Sequence, residues 1–229
     1  MTLIPLEVPV ESNEPTLPAE PSTKATRSQN AQPVLEKLFE LYPHLFGAEF
    51  LPLKLGIFQE LLATHPETFK RDALKAALGI HTRSARYLQS VAAGKKRHDL
   101  QGVAVEDVAP EHIHFAIVEL FRRRQNRTNE DLRPRLRAHL MGAFEASGLT
   151  RQDYLVKVQT NDAEANTFLE ETFAERDQIL AKQEALLRAF QTSGKTIEEF
   201  ADMYGLNKHD AMRVLELSRR AQQTPENDG

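Results

Sequence analysis

Cysteine is absent from the 229 residues, which excludes a disulfide scaffold, a thiolate zinc finger, an iron–sulfur cluster and a cysteine nucleophile. A reducing compartment suits such a chain, and a cytoplasmic location is expected. Long apolar runs are missing as well: none reaches the roughly 18 residues a membrane span needs. The stretch from Met1 to Ser28 carries prolines and acids where a secretory leader would have a basic start and an apolar core. Neither export nor membrane insertion is expected. Glycine totals 10 residues and forms no phosphate-binding loop or dinucleotide fingerprint, and neither HExxH nor GxSxG occurs. No enzymatic activity, cofactor or metal is expected. His112 and His114 are two apart, so on a helix they point about 200° away from each other and do not share a metal. His98 and Asp99 are adjacent in an extended piece and face opposite sides, which argues against an acid–base pair acting on RNA.

What is present begins with 41% hydrophobic residues, enough for a packed core. The net charge of −4 hides an uneven distribution: −4 over residues 1–50, +5 over 51–127 and −5 over 128–229. Within the middle block, residues 70–97 hold Lys70, Arg71, Lys75, Arg83, Arg86, Lys95, Lys96 and Arg97 against the single acid Asp72. Such a local field attracts phosphate.

Residues 1–30 are too polar to offset the entropy of ordering and are expected as a disordered tail. From Pro33 the spacing of Val34, Leu35, Leu38 and Phe39 predicts a helix ending near Tyr42-Pro43. A short extended piece follows around Phe50 to Leu53, then a helix through Ile57, Phe58, Leu61 and Leu62 that stops at His65-Pro66. A third helix is predicted over about Phe69 to Leu78, with Gly79 as its stop. Thr82 then reads as the N-cap of a fourth helix through Val91, ended by Gly94. Residues 97–105 suggest a hairpin around Gln101-Gly102. A fifth helix opens at Pro110 and closes in Arg122, Arg123 and Arg124.

These pieces make one mainly helical domain over 31–126. Residues 127–220 read as a separate, extended helical region. Leu132, Leu136, Leu140, Met141 and Phe144 mark a helix ending near Gly148. Residues 162–192 form one long helix in which Phe173, Leu180 and Leu187 repeat by sevens, with Arg176 and Gln183 interrupting the seam. Two short helices broken at Gly205 resemble a helix-turn-helix, and residues 221–229 read as a second disordered tail.

The fourth helix carries the most chemistry. Projected at 100° per residue, Arg83, Arg86, Tyr87 and Ser90 share one side, and Ala85, Leu88, Val91 and Ala92 cluster on another. A tyrosine beside two arginines offers a ring for base or sugar packing next to phosphate-pairing guanidinium groups. On spacing alone, a half-buried core tyrosine with solvated arginines fits equally well. The helix N-terminus adds the positive end of a dipole, which suits a phosphate. Gly94, Lys95, Lys96 and Arg97 then place three cations in the turn that follows.

Residues about 33–126 resemble the ProQ/FinO domain of bacterial RNA chaperones. The likeness rests on Tyr42-Pro43-His44-Leu45-Phe46, Pro52-Leu53-Lys54-Leu55-Gly56-Ile57-Phe58, Leu74-Lys75-Ala76-Ala77-Leu78, Thr82, Arg86-Tyr87-Leu88, Gly94 and Arg97-His98-Asp99-Leu100-Gln101-Gly102. The resemblance implies a compact helical domain with a short β-hairpin, and binding to intrinsic terminators: an RNA hairpin followed by a uridine-rich strand with a free 3′ end. It implies that Lys54, Lys75 and Arg86 lie on a concave RNA-binding face. Tyr87 and Arg97 would form a pocket for the terminal nucleotide, with Thr82 and Gly94 at its edges. Implied partners are small regulatory RNAs and their target mRNAs. Ala85 stands where some members carry tryptophan, Ala93 where a proline occurs in others, and Lys75 where arginine is common. Lysine keeps the charge but loses the planar fork. The likeness stops near residue 126. The acidic helical extension is of the general kind carried by a family member that restrains natural competence, and it suits a protein partner. A rival reading makes Leu206 to Arg220 the recognition helix of a DNA-binding regulator. There Lys208, Arg213, Arg219 and Arg220 are offset by Glu198, Glu199, Asp202, Asp210 and Glu216.

Overall fold

The computed structural model describes residues 23–47, 49–207, 209, 211, 212 and 216. Helix dominates, and a single two-stranded sheet occurs among the described residues. The chain runs through α1 (Thr23–Leu41), α2 (Pro43–Phe46), α3 (Ile57–Thr64), α4 (Arg71–Thr82), α5 (Ala85–Ala92), β1 (Arg97–His98), β2 (Ala104–Glu106) and α6 (Pro110–Gln125). It continues through α7 (Arg133–Ser147), α8 (Arg151–Val158), α9 (Ala163–Ser193) and α10 (Ile197–Tyr204). Among the described residues, no helix is long and apolar enough to cross a membrane.

Two boundaries differ from expectation. Helix α1 begins at Thr23, so Pro33 lies inside it and the helix takes in the end of the segment expected as a disordered tail. Helix α4 passes through Gly79 and ends at Thr82. An interior glycine costs about 1 kcal/mol, and the added turn places His81 beside Phe46 and Phe50. Leu38 of α1, Leu45 of α2, Leu61 of α3 and Leu74 of α4 are all fully buried in the first core. Each contributes about 1.5–3 kcal/mol relative to an exposed side chain.

The hairpin forms as predicted. Strands β1 and β2 pair antiparallel, with Arg97 opposite Glu106. Asp99 closes the turn: its Oδ1 accepts from the N–H groups of Gln101 at 3.0 Å and Val103 at 2.9 Å. Leu53 bridges in parallel to His98, so the extended piece before α3 lies along the hairpin. The His98 N–H donates to the Pro52 carbonyl at 2.7 Å, and the Lys54 N–H donates to the His98 carbonyl at 2.9 Å.

The region after residue 126 packs onto the first domain through α6. Ala116 of α6 belongs to the first core, whereas Ile117 and Val118 pack with Leu136 and Leu140 of α7 and Ala165 and Phe168 of α9. Arg122 fastens this seam by donating to Asp162 at 2.6 and 2.9 Å and to Glu164 at 2.7 Å. Asp162 also caps α9 by accepting from the Ala165 N–H. The guanidinium bonds hold its carboxyl at about 2, well below the usual range, and they raise Arg122.

Helix α8 had no counterpart in the sequence reading. Thr150 caps it, and Tyr154 and Val158, four apart, are buried against Leu169 and Phe173. In α9, Phe173 and Leu187 are buried but Leu180 is 45% exposed, so the seven-residue repeat makes no continuous seam. Phe200 of α10 stacks edge-on against Phe190 of α9, and Gly205 ends α10 in the left-handed region. The segment read as a DNA-recognition helix, and both tails beyond residues 22 and 216, lie largely or wholly outside the described residues.

Candidate nucleic-acid interface

Two of the residues selected from the sequence, Tyr87 and Arg97, meet at the backbone of Leu53. The Leu53 N–H donates to Tyr87 Oη at 3.0 Å, and the Leu53 carbonyl accepts from Arg97 Nη1 at 2.9 Å. Lys54 follows directly, and Arg86 precedes Tyr87 on α5. The extended piece, α5 and β1 are thus locked together at their common junction.

Arg97 is only 8% exposed. Its Nη2 donates to His112 Nδ1 at 3.1 Å, and its Nε lies 4.0 Å from Glu106 Oε1. A guanidinium has no acceptor, so His112 must present a bare Nδ1 and carry its proton on Nε2. The same Glu106 oxygen accepts from the Leu55 N–H at 3.0 Å. Arg97 is therefore a brace between three segments.

Tyr87 is 6% exposed, with its ring edge-on to His81. The core-tyrosine alternative is the one realised, and the ring is not open for base stacking. The helical projection fails because α5 is enclosed on more than one side: Tyr87 and Ser90 are buried together with Leu88 and Val91. Burial raises the Tyr87 phenol, opposed by the Leu53 N–H and by Arg97 beside it. The hydroxyl, held neutral, is the part directed at the junction.

Thr82 is not the cap of α5. It is the last residue of α4, and its hydroxyl donates back to the Leu78 carbonyl at 2.8 Å. Ser84 is the cap, accepting from the Tyr87 N–H at 3.2 Å. Both residue types suit the position; the extra turn of α4 decides between them. The positive end of the α5 dipole still opens beside exposed Arg83 and Arg86. Arg86 lies over the Phe50 ring at 4.9 Å.

The remaining cations stand at the surface. Lys75 is exposed on α4 and, among the described residues, joins none of the others by a hydrogen bond or ion pair. Lys54 pairs with Glu60 at 3.2 Å, Lys95 with Glu49 at 2.7 Å and Lys96 with Asp107 at 3.5 Å. The Lys95 ammonium lowers the Glu49 carboxyl. Exposed pairs of this kind are worth about 0–1 kcal/mol, so the acids hold these lysines only weakly. Gly94, at φ 66°, starts the turn that carries Lys95 and Lys96 away from α5.

Sequence reading missed His112, Glu106, Ser84 and Phe50. By its spacing His112 stands out only beside His114, which is buried. Nothing in the spacing announces that a histidine on α6 meets an arginine on β1. For Ser84 a signal existed, since a serine stood three residues before Tyr87.

The family model described as ProQ/FINO matches residues 28–133. The RNA chaperone ProQ of Shewanella frigidimarina is 40% identical over 103 residues, covering 43% of this chain and 50% of the relative. That of Shewanella pealeana is 39% identical over 103 residues, covering 43% of this chain and 48% of the relative. The chain thus spans about half the length of these curated relatives. The crystal structure of a FinO-like RNA chaperone from Neisseria meningitidis aligns at 30% identity over 39% of this chain and 92% of that one, with a TM-score of 0.35. Residues 28–133, where cations gather around a hydrogen-bonded junction of strand and helix, match the ProQ/FinO family.

Proposed function

We propose that this protein is a non-enzymatic RNA chaperone that binds the 3′ intrinsic-terminator hairpin and uridine-rich tail of small RNAs. It stabilises them and supports their action on target mRNAs, competence genes among them, in the cytoplasm. The observation that carries the reading is the run of cations along α4, α5 and the turn into β1, next to a rigid junction. Lys54, Lys75, Arg83, Arg86, Lys95 and Lys96 supply phosphate contacts that follow the shape of a duplex with little base reading. Arg97 and Tyr87 act as positioning residues: they fix the Leu53 peptide against which the terminal nucleotide is received, with Thr82 and Gly94 at the margins. The region after α6 offers a surface for a protein partner.

The deciding experiment measures binding of one terminator hairpin ending in a 3′ hydroxyl against the same RNA ending in a 3′ phosphate. The hydroxyl form binds more tightly, and equal affinities reject the end pocket. Neutralising Lys75 or Arg86 lowers the slope of affinity against salt by about 1 each. These surface cations are better probes than Arg97, whose removal also loosens the fold. RNA incubated with the protein and magnesium stays intact; cleavage would establish a hydrolase instead.

A further inference from the structure

The geometry points to a second RNA site, in the groove bounded by the end of α5, by α6 and by α7, which takes single-stranded RNA flanking the bound hairpin. This rests on the RNA-binding reading above. The groove encloses about 780 Å³, within the range of sites that hold a small organic ligand. Its floor is apolar, formed by Ala92, Ile113, Ile117, Leu120, Phe121 and Leu136. Its rim is basic: Arg124, Arg135 and His139 line it.

Three observations favour RNA as the occupant. First, residues 122–139 hold seven arginines against two acids, Glu130 and Asp131. Arg122, Arg123 and Arg137 are committed to carboxylates of α9 or of their own helix. Arg135 makes only an exposed pair with Glu130. Among the described residues, no acid pairs with Arg124, Arg127 or Arg133, so a polyanion has surplus charge to meet. Second, the groove is continuous with the candidate interface. Gly94, from which the Lys95 and Lys96 turn departs, lines it, and so does Asp107, the ion-pair partner of Lys96. Third, an apolar floor with a cationic rim is what unpaired nucleotides require, since their bases seek cover while their phosphates seek charge. With the 3′ tail held at the Leu53 junction, the strand left to cross this groove is the one leaving the 5′ side of the stem.

Gly142 of α7 lines the groove, and a Cβ built there meets no atom within 4 Å. A side chain at this position therefore starts into the groove without a clash at its Cβ, and a leucine is the variant chosen to obstruct it. The test uses the full chain and two RNAs: a uridine-tailed terminator hairpin, and the same hairpin with a short single-stranded 5′ extension. The wild-type protein binds the extended RNA about fivefold tighter, as one sheltered base provides. Gly142→Leu, and separately Arg124→Gln combined with Arg135→Gln, bind both RNAs at the affinity of the bare hairpin. Equal wild-type affinities for the two RNAs, or variants that keep the gain, overturn the groove site. So does a variant of unchanged melting temperature that loses the bare hairpin, because it acts on the main interface. If an acidic peptide binds the wild type but not Gly142→Leu while the extension brings no gain, the groove is a protein site and the proposal fails. Failure of the wild type to bind either RNA instead overturns the function proposed above.

Discussion

His81 is a buried polar residue set among the aromatic rings of the first domain. It is 4% exposed, its ring lies 4.6 Å from that of Phe46 and 4.5 Å from that of Phe50, and its Nε2 has no hydrogen-bond partner. Burial pushes it down to about 4 from an ordinary 6.5. Between those values the unfolded chain binds a proton that the folded chain refuses, so stability falls as pH drops through this window and is fully present above it. The loss amounts to about 3 kcal/mol by pH 4. His114, also buried and also lowered, acts in the same direction. Denaturant titrations from pH 7 to 4 should therefore show a decline that His81→Phe reduces and does not abolish. Phenylalanine suits the aromatic surroundings and leaves no orphaned nitrogen, so its stability at pH 7 stays close to wild type. An unchanged pH dependence in that variant would contradict the assignment. Cations open to solvent also separate from those that hold the fold: Arg97 contacts a carbonyl, a histidine and a carboxylate, whereas Lys75 is exposed.

At the scale of elements, the hairpin is specified by its turn. Gly102 sits at φ 78°, and a Cβ there would come within 2.6 Å of the His44 ring. That ring in turn lies 3.1 Å from the Leu100 carbonyl through Nε2. Gly102→Ala combines an unfavourable backbone with a collision and costs about 1–3 kcal/mol, read from the shift in denaturant midpoint. Weakened hydrogen-exchange protection should centre on β1 and β2, and a midpoint equal to wild type would refute the argument. The hairpin and α6 were legible because a turn signal and an N-terminal proline mark them locally, and α9 was legible as a long helical stretch. Helix α5 was legible in extent but not in orientation. Its projection assumed one buried face, and a short helix enclosed by α6 and by the piece bearing Leu53 has more than one. The small α2 and α8 carried too few periodic positions to declare themselves.

For the whole molecule, α6 is a wall shared by two cores. Leu140 of α7 is fully buried against Ile117 and Val118 of that helix. Leu140→Ala leaves a cavity and costs about 2–5 kcal/mol. If the two regions unfold as a unit through α6, the variant melts in one transition at lower temperature. Two transitions of which only one moves would show that the extension is energetically independent. The sharing also bears on function, because the groove beside Gly94 exists only where α7 lies across the end of α5. The candidate site was half legible. The cations and the turn at Gly94 stand in the sequence, whereas the partners of Arg97 and the burial of Tyr87 arise where distant segments meet.

Local order of residues settled the helical class, the hairpin, the basic middle of the chain and its likeness to the ProQ/FinO family. Periodicity, turn chemistry and charge are short-range properties, and neighbours along the chain suffice to express them. Only the tertiary structure decided that Arg97 braces the fold, that Tyr87 faces inward, and that the extension shares a helix with the first domain. Those outcomes depend on contacts between residues far apart along the chain, and burial there overrides what a single helix would prefer alone.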